Sequence, residues 1–220
     1  TTAAPLPGNI EINHFQAVAY QKKIYIIGAF TGGFPTETPV ADIYVFDSET
    51  NSWSVLQNAI PANRRRGSTG AVVYNDKIYI VGGITNGHTN GWVNWLDVFD
   101  PATLQWTSLP DAPHARDHFQ AAVTNGKIFA AGGRRTNFDG TLFGNTEPTV
   151  DVFDIATNTW STLPASANLP TPRAGTSTVV LDNRVWVIGG ESQQSLAHNE
   201  TEVLDPITNT WEQKENLITG

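Results

Sequence analysis

Histidine is the side chain whose placement in this sequence first suggests chemistry. The chain of 220 residues contains five histidines and no cysteine, which excludes thiol nucleophiles, disulfides, iron–sulfur clusters and zinc fingers. His114 and His118 are four positions apart, but a strand separates such positions by about 13 Å, too far to ligate one ion. His14 and His118 hold equivalent places in a repeat and could face each other, although the polarity of an inner strand explains them more simply. The sequence therefore predicts no metal and no cofactor.

Arginine forms a second candidate group. Arg66, Arg116 and Arg173 recur at one position of three repeat units, just before a predicted strand. Such a set could converge and attract an acidic ligand, or each arginine could bind backbone carbonyls of adjacent loops. Arg134 and Arg135 lie together in a long loop, where planar guanidinium groups suit a carboxylate. A solvated loop is the alternative interpretation of that pair.

One loop has the composition of a sugar site. Trp92 and His88 lie among glycines and asparagines in residues 84–94. An aromatic ring beside amide side chains suits a sugar through stacking and hydrogen bonding, while packing of Trp92 on a neighbouring blade is the alternative. No catalytic residues are expected, because the sequence contains no G-x-S-x-G nucleophile elbow. Two loop carboxylates could still catalyse glycoside hydrolysis, but the sequence does not indicate which two of the loop acids would act.

The composition narrows the function classes. There are 13 Lys and Arg against 21 Asp and Glu, giving a net charge of −8 and a pI of about 5.0, which argues against nucleic-acid binding. No apolar run approaches the ~20 residues needed to span a bilayer, so no transmembrane segment is expected. Aromatic residues make up 10% and charged residues only 15% of the chain, the reverse of a disordered composition.

An internal repeat decides the fold that must position these residues. Four tryptophans follow one another at intervals of 53, 54 and 51 residues, and each closes a D-x-x-T-x-x-W pattern. Upstream of each pattern lies an apolar run that ends in glycine or alanine. The tryptophans are Trp53, Trp106, Trp160 and Trp211, and the runs are KIYIIGA, KIYIVGG, KIFAAGG and RVWVIGG.

Each repeat unit predicts four short strands. The first two strands are joined by two-residue turns rich in Asn, Asp and Gly, which tolerate the positive φ of tight hairpins. The β-branched and aromatic runs favour a buried second strand, and no segment keeps the periodicity of an amphipathic helix. The sequence thus predicts an all-β propeller with four four-stranded antiparallel blades in a single domain, residues 1–220. The blades span approximately residues 12–57, 66–110, 116–164 and 173–217.

These units resemble the kelch repeat. They share its double glycine after the second strand, its hydrophobic strand ending in aspartate and its closing tryptophan. The first unit departs from the pattern with Gly28-Ala29 in place of the glycine pair and Ile12 in place of the arginine, and Leu204 replaces the usual phenylalanine of the third strand. Since most kelch propellers bind other proteins, the resemblance implies an interaction module. The absence of cysteine excludes the copper site of galactose oxidase-like propellers, while sialic-acid mutarotase-like and lyase-like enzymes stay open.

The number of repeats raises a question, because kelch propellers usually have more than four blades. Three interpretations remain: part of a larger propeller, a closed four-bladed ring, or half of an assembly completed by another copy. The sequence does not begin with Met, which permits a removed signal peptide, and Asn199-Glu200-Thr201 fits a glycosylation acceptor. Both features favour an extracellular or cell-surface location.

The functional hypothesis is a non-catalytic module that recognises a protein or a surface glycan through loops at one end. The alternatives are a carbohydrate-active propeller enzyme and a structural subunit of an extracellular assembly. An enzyme would need Arg66, Arg116, Arg173, His14 and His118 to share one wet pocket. If the arginine side chains are instead hydrogen-bonded to backbone carbonyls, a binding or scaffolding role is favoured.

Overall fold

The computed structural model describes residues 2–193 and 196–219. It confirms an all-β propeller arrangement of four antiparallel four-stranded blades. Blade 1 contains β1 (Val18–Tyr20), β2 (Lys23–Ile26), β5 (Ile43–Asp47) and β6 (Ser52–Leu56), and its loop carries the hairpin β3 (Phe30–Thr31) and β4 (Thr38–Pro39). Blade 2 contains β7 (Gly70–Tyr74), β8 (Lys77–Val81), β11 (Leu96–Asp100) and β12 (Gln105–Leu109), with the hairpin β9 (Ile84–Asn86) and β10 (Asn90–Trp92).

The other two blades repeat the same antiparallel order without a separate hairpin. Blade 3 contains β13 (Ala121–Thr124), β14 (Lys127–Ala130), β15 (Asp151–Asp154) and β16 (Thr159–Thr162). Blade 4 contains β17 (Ser177–Leu181), β18 (Arg184–Ser192), β19 (Leu196–Asp205) and β20 (Thr210–Gln213). The helical segments of the described residues are short 3₁₀ turns at Pro7–Asn9, Ala62–Arg64 and Ala165–Ala167. None of these is long and apolar enough to cross a membrane.

The turns at one end of each blade have the expected chemistry. Asn75 and Asp76 adopt φ of 47° and 61°, the pair of positive angles that a two-residue hairpin turn requires. In the repeat motif, Asp47 Oδ1 accepts hydrogen bonds from the backbone N–H groups of Glu49 and Thr50 at 2.9 and 3.2 Å. The same two bonds recur at Asp100, Asp154 and Asp205. The motif aspartate therefore shapes a turn, as its position predicts.

Apolar side chains between consecutive blades form the core. Tyr25 and Ile43 of blade 1 pack with Ile78 and Phe99 of blade 2. Clusters of the same kind join blade 2 to blade 3 and blade 3 to blade 4. Gly82, which follows β8, permits this close approach, since a Cβ there (φ 60°) would lie 2.5 Å from the backbone oxygen of Arg116, in the segment that leads into blade 3.

The outermost faces of blades 1 and 4 are partly exposed. Ile78 is fully buried, whereas its equivalent in blade 1, Ile24, is 40% exposed. At the other end, Val179 of blade 4 is 50% exposed, against 5% for its equivalent Val72. Within the described residues no apolar cluster joins blade 4 to blade 1. The blades therefore form an open arc, which leaves a larger propeller or an assembly of copies as the remaining interpretations.

Candidate functional site

The long connections of the propeller all lie at one end. They are the loops between the second and third strands (27–42, 82–95 and 131–150) and the segments between blades (57–69, 110–120 and 163–176). The short hairpin and D-x-x-T turns lie at the opposite end. We call the long-connection end the loop face. Its segments differ in length and content from blade to blade, as binding loops commonly do.

One backbone position per blade lines the centre of the loop face. This mouth position is His14, Ser68, His118 and Gly175 in blades 1 to 4, with φ of 53°, 55°, 51° and 62°. Backbone hydrogen bonds link it from blade to blade: Ser68 N donates to His14 O at 2.7 Å, His118 N to Ser68 O at 3.1 Å and Gly175 N to His118 O at 2.6 Å. All four residues border a pocket of about 130 Å³. The repeat thus places two histidines at the channel mouth.

A third histidine joins them from a loop. His88, in the loop of blade 2, lies with its ring centroid 4.7 Å from that of His118 and 4.8 Å from that of His14. The rings of His14 and His118 are 5.0 Å apart. One ring nitrogen from each residue lies within 4.8 Å of the others. His88 and His118 are buried and His14 is exposed, so the cluster opens to solvent on one side.

Each ring of the cluster is oriented through its Nδ1 atom. His118 Nδ1 lies 2.5 Å from Asp117 Oδ1, and His88 Nδ1 lies 3.0 Å from Glu37 Oε1. Asp117 also accepts a hydrogen bond from the Thr136 backbone N–H at 3.0 Å. These contacts leave Nε2 of His88 and Nε2 of His118 facing each other at 3.0 Å.

The surroundings of His14 and His118 favour the neutral form of these two imidazoles. Although one side of His14 is exposed, desolvation of its ring against the other two histidines, followed by the charges of His118 and His88, lowers the pKa of His14 to about 4. Burial also lowers the pKa of His118, against the opposing effect of Asp117. Burial alone would raise the pKa of Glu37, but its hydrogen bond to His88 holds that pKa below the ordinary value. A neutral histidine next to an ionised carboxylate is the state in which the free Nε2 can accept a proton or a metal ion.

The three repeat arginines are placed differently from the histidines. Arg66 donates from Nε to Gly82 O at 2.6 Å and pairs with Asp97 at 2.8 Å. Arg173 donates to Gly189 O at 2.6 Å and pairs with Glu202. Arg116 likewise binds the carbonyl of Gly132 and the carboxylate of Asp151. All three arginines are at most 1% exposed, so their guanidinium groups join strands within a blade and do not share a wet pocket.

The first blade replaces this buried ion pair with apolar contacts. Ile12 stands where the other blades have arginine, and Tyr44 stands where they have Asp97, Asp151 or Glu202. Both residues belong to the apolar cluster that covers part of the outer side of blade 1 and leaves Ile24 exposed. The acidic partner was missed at the sequence level, although its signal is present. It lies three residues before the motif aspartate, as in LDVFD, VDVFD and TEVLD.

The two loop arginines separate from each other. Arg134 is buried, and its Nη1 pairs with Glu191 Oε1 at 2.5 Å. The guanidinium of Arg135 lies 4.1 Å from the ring centroid of Phe138 and 5.7 Å from that of Trp92. The Trp92 and Phe138 rings are 5.5 Å apart. Trp92 therefore packs within the loop face, and Arg135 stacks on aromatic rings there.

Exposed phenylalanines complete this surface. Phe138 is 50% exposed and Phe34, in the loop of blade 1, is 63% exposed. The Phe34 ring lies 5.1 Å from that of His88, and the Asn137 side chain donates a hydrogen bond to the Thr89 carbonyl at 3.1 Å. The loops of three blades thus touch one another. We call Phe34, Trp92, Arg135 and Phe138 the aromatic rim.

Comparison with known proteins agrees with this architecture. The family model "KLHDC2/KLHL20/DRC7 Kelch-repeats domain" matches residues 14–218. The chain belongs to the kelch-repeat family. The matched residues include the mouth position of every blade and nearly all of the four blades.

Individual kelch relatives are longer than this chain. It is 30% identical to Kelch-like protein terF of Aspergillus terreus, over 96% of this chain and 46% of that protein. It is 27% identical to Kelch domain-containing protein 3 of Mus musculus, over 93% of this chain and 56% of that protein. Among solved structures, that of YjhT superimposes with a TM-score of 0.79 at 18% identity, over 100% of this chain and 75% of that chain. This chain spans about half the length of these curated relatives, and the structural likeness shows the fold alone.

Proposed function

We propose that this kelch propeller is a non-catalytic protein-interaction module that binds its partner at the loop face, through the aromatic rim. The observation that carries the proposal is the exposure of Phe138 beside Arg135 and of Phe34 beside His88. Exposed aromatic rings with a stacked arginine are the composition of binding hot spots. The rim is formed by three blades, so the propeller holds it as one surface.

The enzyme alternative is less well supported. A mutarotase-like or lyase-like site would use arginines at the channel mouth, and here the repeat arginines are bound by carbonyls and carboxylates in the interior. A glycan partner would use an open face of Trp92, but that ring is half-buried against Phe138 and Arg135. The extracellular or cell-surface location stays a prediction. The open outer faces of blades 1 and 4 suit further blades or a second copy.

The Phe138→Asp variant tests the proposed surface. We expect it to capture at least ~30-fold less of the partner than the parent chain, because losing a hot-spot ring costs about 2 kcal/mol or more and the added charge resists burial. The measurement is quantitative mass spectrometry of proteins retained from an extract of the cells that make this chain. The matched control is Leu104→Asp, since Leu104 is 54% exposed in a turn at the opposite end.

Both variants should unfold at the parent's denaturant midpoint, because both positions are exposed. Retention of the partner by the Leu104 variant and its loss by the Phe138 variant would support the proposal. Equal loss in both, or loss only in the Leu104 variant, would place binding elsewhere.

A further inference from the structure

We infer that His14, His88 and His118 form a binding site for a divalent late first-row metal ion, with zinc as the best-suited ion. The site lies at the centre of the loop face. It rests on the geometry of the three rings and is independent of the partner surface proposed above.

The spacing of the ring nitrogens fits a shared ion. Nε2 of His88 and Nε2 of His118 are 3.0 Å apart, and ligand atoms on a tetrahedral zinc with Zn–N bonds of about 2.05 Å are separated by about 3.3 Å. His14 has a ring nitrogen within 4.8 Å of the other two, and its exposure leaves room for a small rotation. Coordination of one ion therefore needs an adjustment of about 0.3 Å between His88 and His118 and of at most about 1.5 Å for His14.

The hydrogen bonds set the tautomers that such an ion needs. Ionised carboxylates only accept, so Asp117 and Glu37 require a proton on Nδ1 of His118 and His88. With the proton on Nδ1, Nε2 of each neutral ring is an acceptor. The two Nε2 atoms are 3.0 Å apart, and that of His118 also lies 3.3 Å from the Ser68 hydroxyl. Both nitrogens can therefore bind one cation between them.

The hydrogen bonds to the other ring nitrogen of each histidine are also of the kind found in metal sites. A ligating histidine usually donates its other N–H to a carboxylate or amide oxygen, which fixes the ring and raises its basicity. Glu37 and Asp117 fill that role for the buried rings, and Asn13 Oδ1 lies 2.7 Å from Nδ1 of His14. Asp117 is itself fixed by hydrogen bonds from Thr136. The nearest cation, Arg134, is paired with Glu191 at 2.5 Å, which compensates its charge.

The donor set decides the class of ion. Imidazole suits zinc, copper, nickel, cobalt and iron, whereas calcium and magnesium require oxygen ligands. Three protein nitrogens leave a fourth position, and two of the three histidines, His14 and His118, also border the mouth pocket. That position is available to water or to a donor group of a ligand.

Equilibrium dialysis of untagged protein against Zn²⁺ tests the site. We expect one Zn²⁺ per chain, no binding of Mg²⁺ or Ca²⁺ there, and a tetrahedral absorption spectrum when Co²⁺ replaces Zn²⁺. His14→Ala is the primary variant, because an exposed side chain can be removed with little effect on the fold. It should weaken Zn²⁺ binding about 100-fold, and Asp117→Asn should weaken it about 10- to 100-fold.

The remaining two histidines are matched controls. His114 pairs with Asp151 and His198 with Glu200, both away from the cluster, so His114→Ala and His198→Ala should leave Zn²⁺ affinity unchanged. Folding of every variant is checked by its urea midpoint. The inference is overturned if the parent binds no stoichiometric Zn²⁺, if His14→Ala binds it as tightly as the parent, or if the control variants lose it equally.

Discussion

Replacing Arg173 by Ala will lower the free energy of unfolding by about 3–5 kcal/mol, the usual cost of breaking a buried ion pair on one side. Arg173 is fully buried, donates to the carbonyls of Gly189 and Val187, and pairs with Glu202, which is 2% exposed. The alanine variant leaves that carboxylate and both carbonyls without their main donor. Urea unfolding of the parent and variant measures the loss.

The control for Arg173 is an arginine in an exposed pair. Arg184 lies 3.0 Å from Glu212 with both side chains about half exposed, so Arg184→Ala should change stability by no more than about 1 kcal/mol. Blade 1 suggests a further variant, because it folds with Ile12 and Tyr44 at the equivalent positions. The double replacement Arg173→Ile with Glu202→Tyr should recover part of the lost stability. Equal losses for Arg173→Ala and Arg184→Ala would contradict a structural role.

The open arc predicts a large difference between two equivalent isoleucines. Ile78→Ala should cost about 2–5 kcal/mol, because Ile78 is fully buried between blades 1 and 2. Ile24→Ala should cost about 1 kcal/mol or less, since Ile24 is 40% exposed on the outer face of blade 1. Both residues are the second position of the second strand, so strand propensity cancels in the comparison.

The same urea experiment decides whether the outer face is open in solution. A small loss for Ile24→Ala at all protein concentrations agrees with an exposed face. A loss as large as that of Ile78→Ala would mean that another blade or another copy covers Ile24, and the arc described here would then be wrong.

The four blades could be predicted because each repeat unit contains its own turn and strand signals and because the units recur at a nearly constant interval. The D-x-x-T turn is set by hydrogen bonds within a few residues of Asp47, and the second strand is set by its β-branched run. These features recur at a constant interval, so one correct unit predicts the others. Exposure of Ile24 could not be predicted in the same way, because it depends on what lies beside blade 1 and not on its own sequence.

The histidine cluster was only half accessible to sequence reasoning. His14 and His118 share a repeat position, which predicts that they could face each other. His88 lies in a loop whose path is set by tertiary contacts, such as its backbone bond to the Pro35 carbonyl at 2.9 Å and its side-chain contact with Glu37. Repeat symmetry says nothing about such a loop, so the third ring and its carboxylate appear only in three dimensions.

The arginines show the opposite case. Their recurrence correctly placed them at one position per blade, but recurrence does not tell whether a side chain points to a channel or into the blade. The deciding feature is the acid on the third strand, at Asp97, Asp151 and Glu202. The acid and the arginine occur together in three repeats, and both are absent from the first repeat, which has Ile12 and Tyr44 instead. A comparison of the four repeats with one another therefore contains this signal.

Site-specific photocrosslinking tests most directly which end of the propeller binds a partner. A benzoylphenylalanine is introduced in place of Phe138 on the loop face or in place of Leu104 at the opposite end, both about half exposed. Irradiation in an extract of the cells that make the protein should give a discrete protein adduct from position 138 and none from position 104. An adduct from position 104, with none from position 138, would contradict the assignment of the loop face as the binding end.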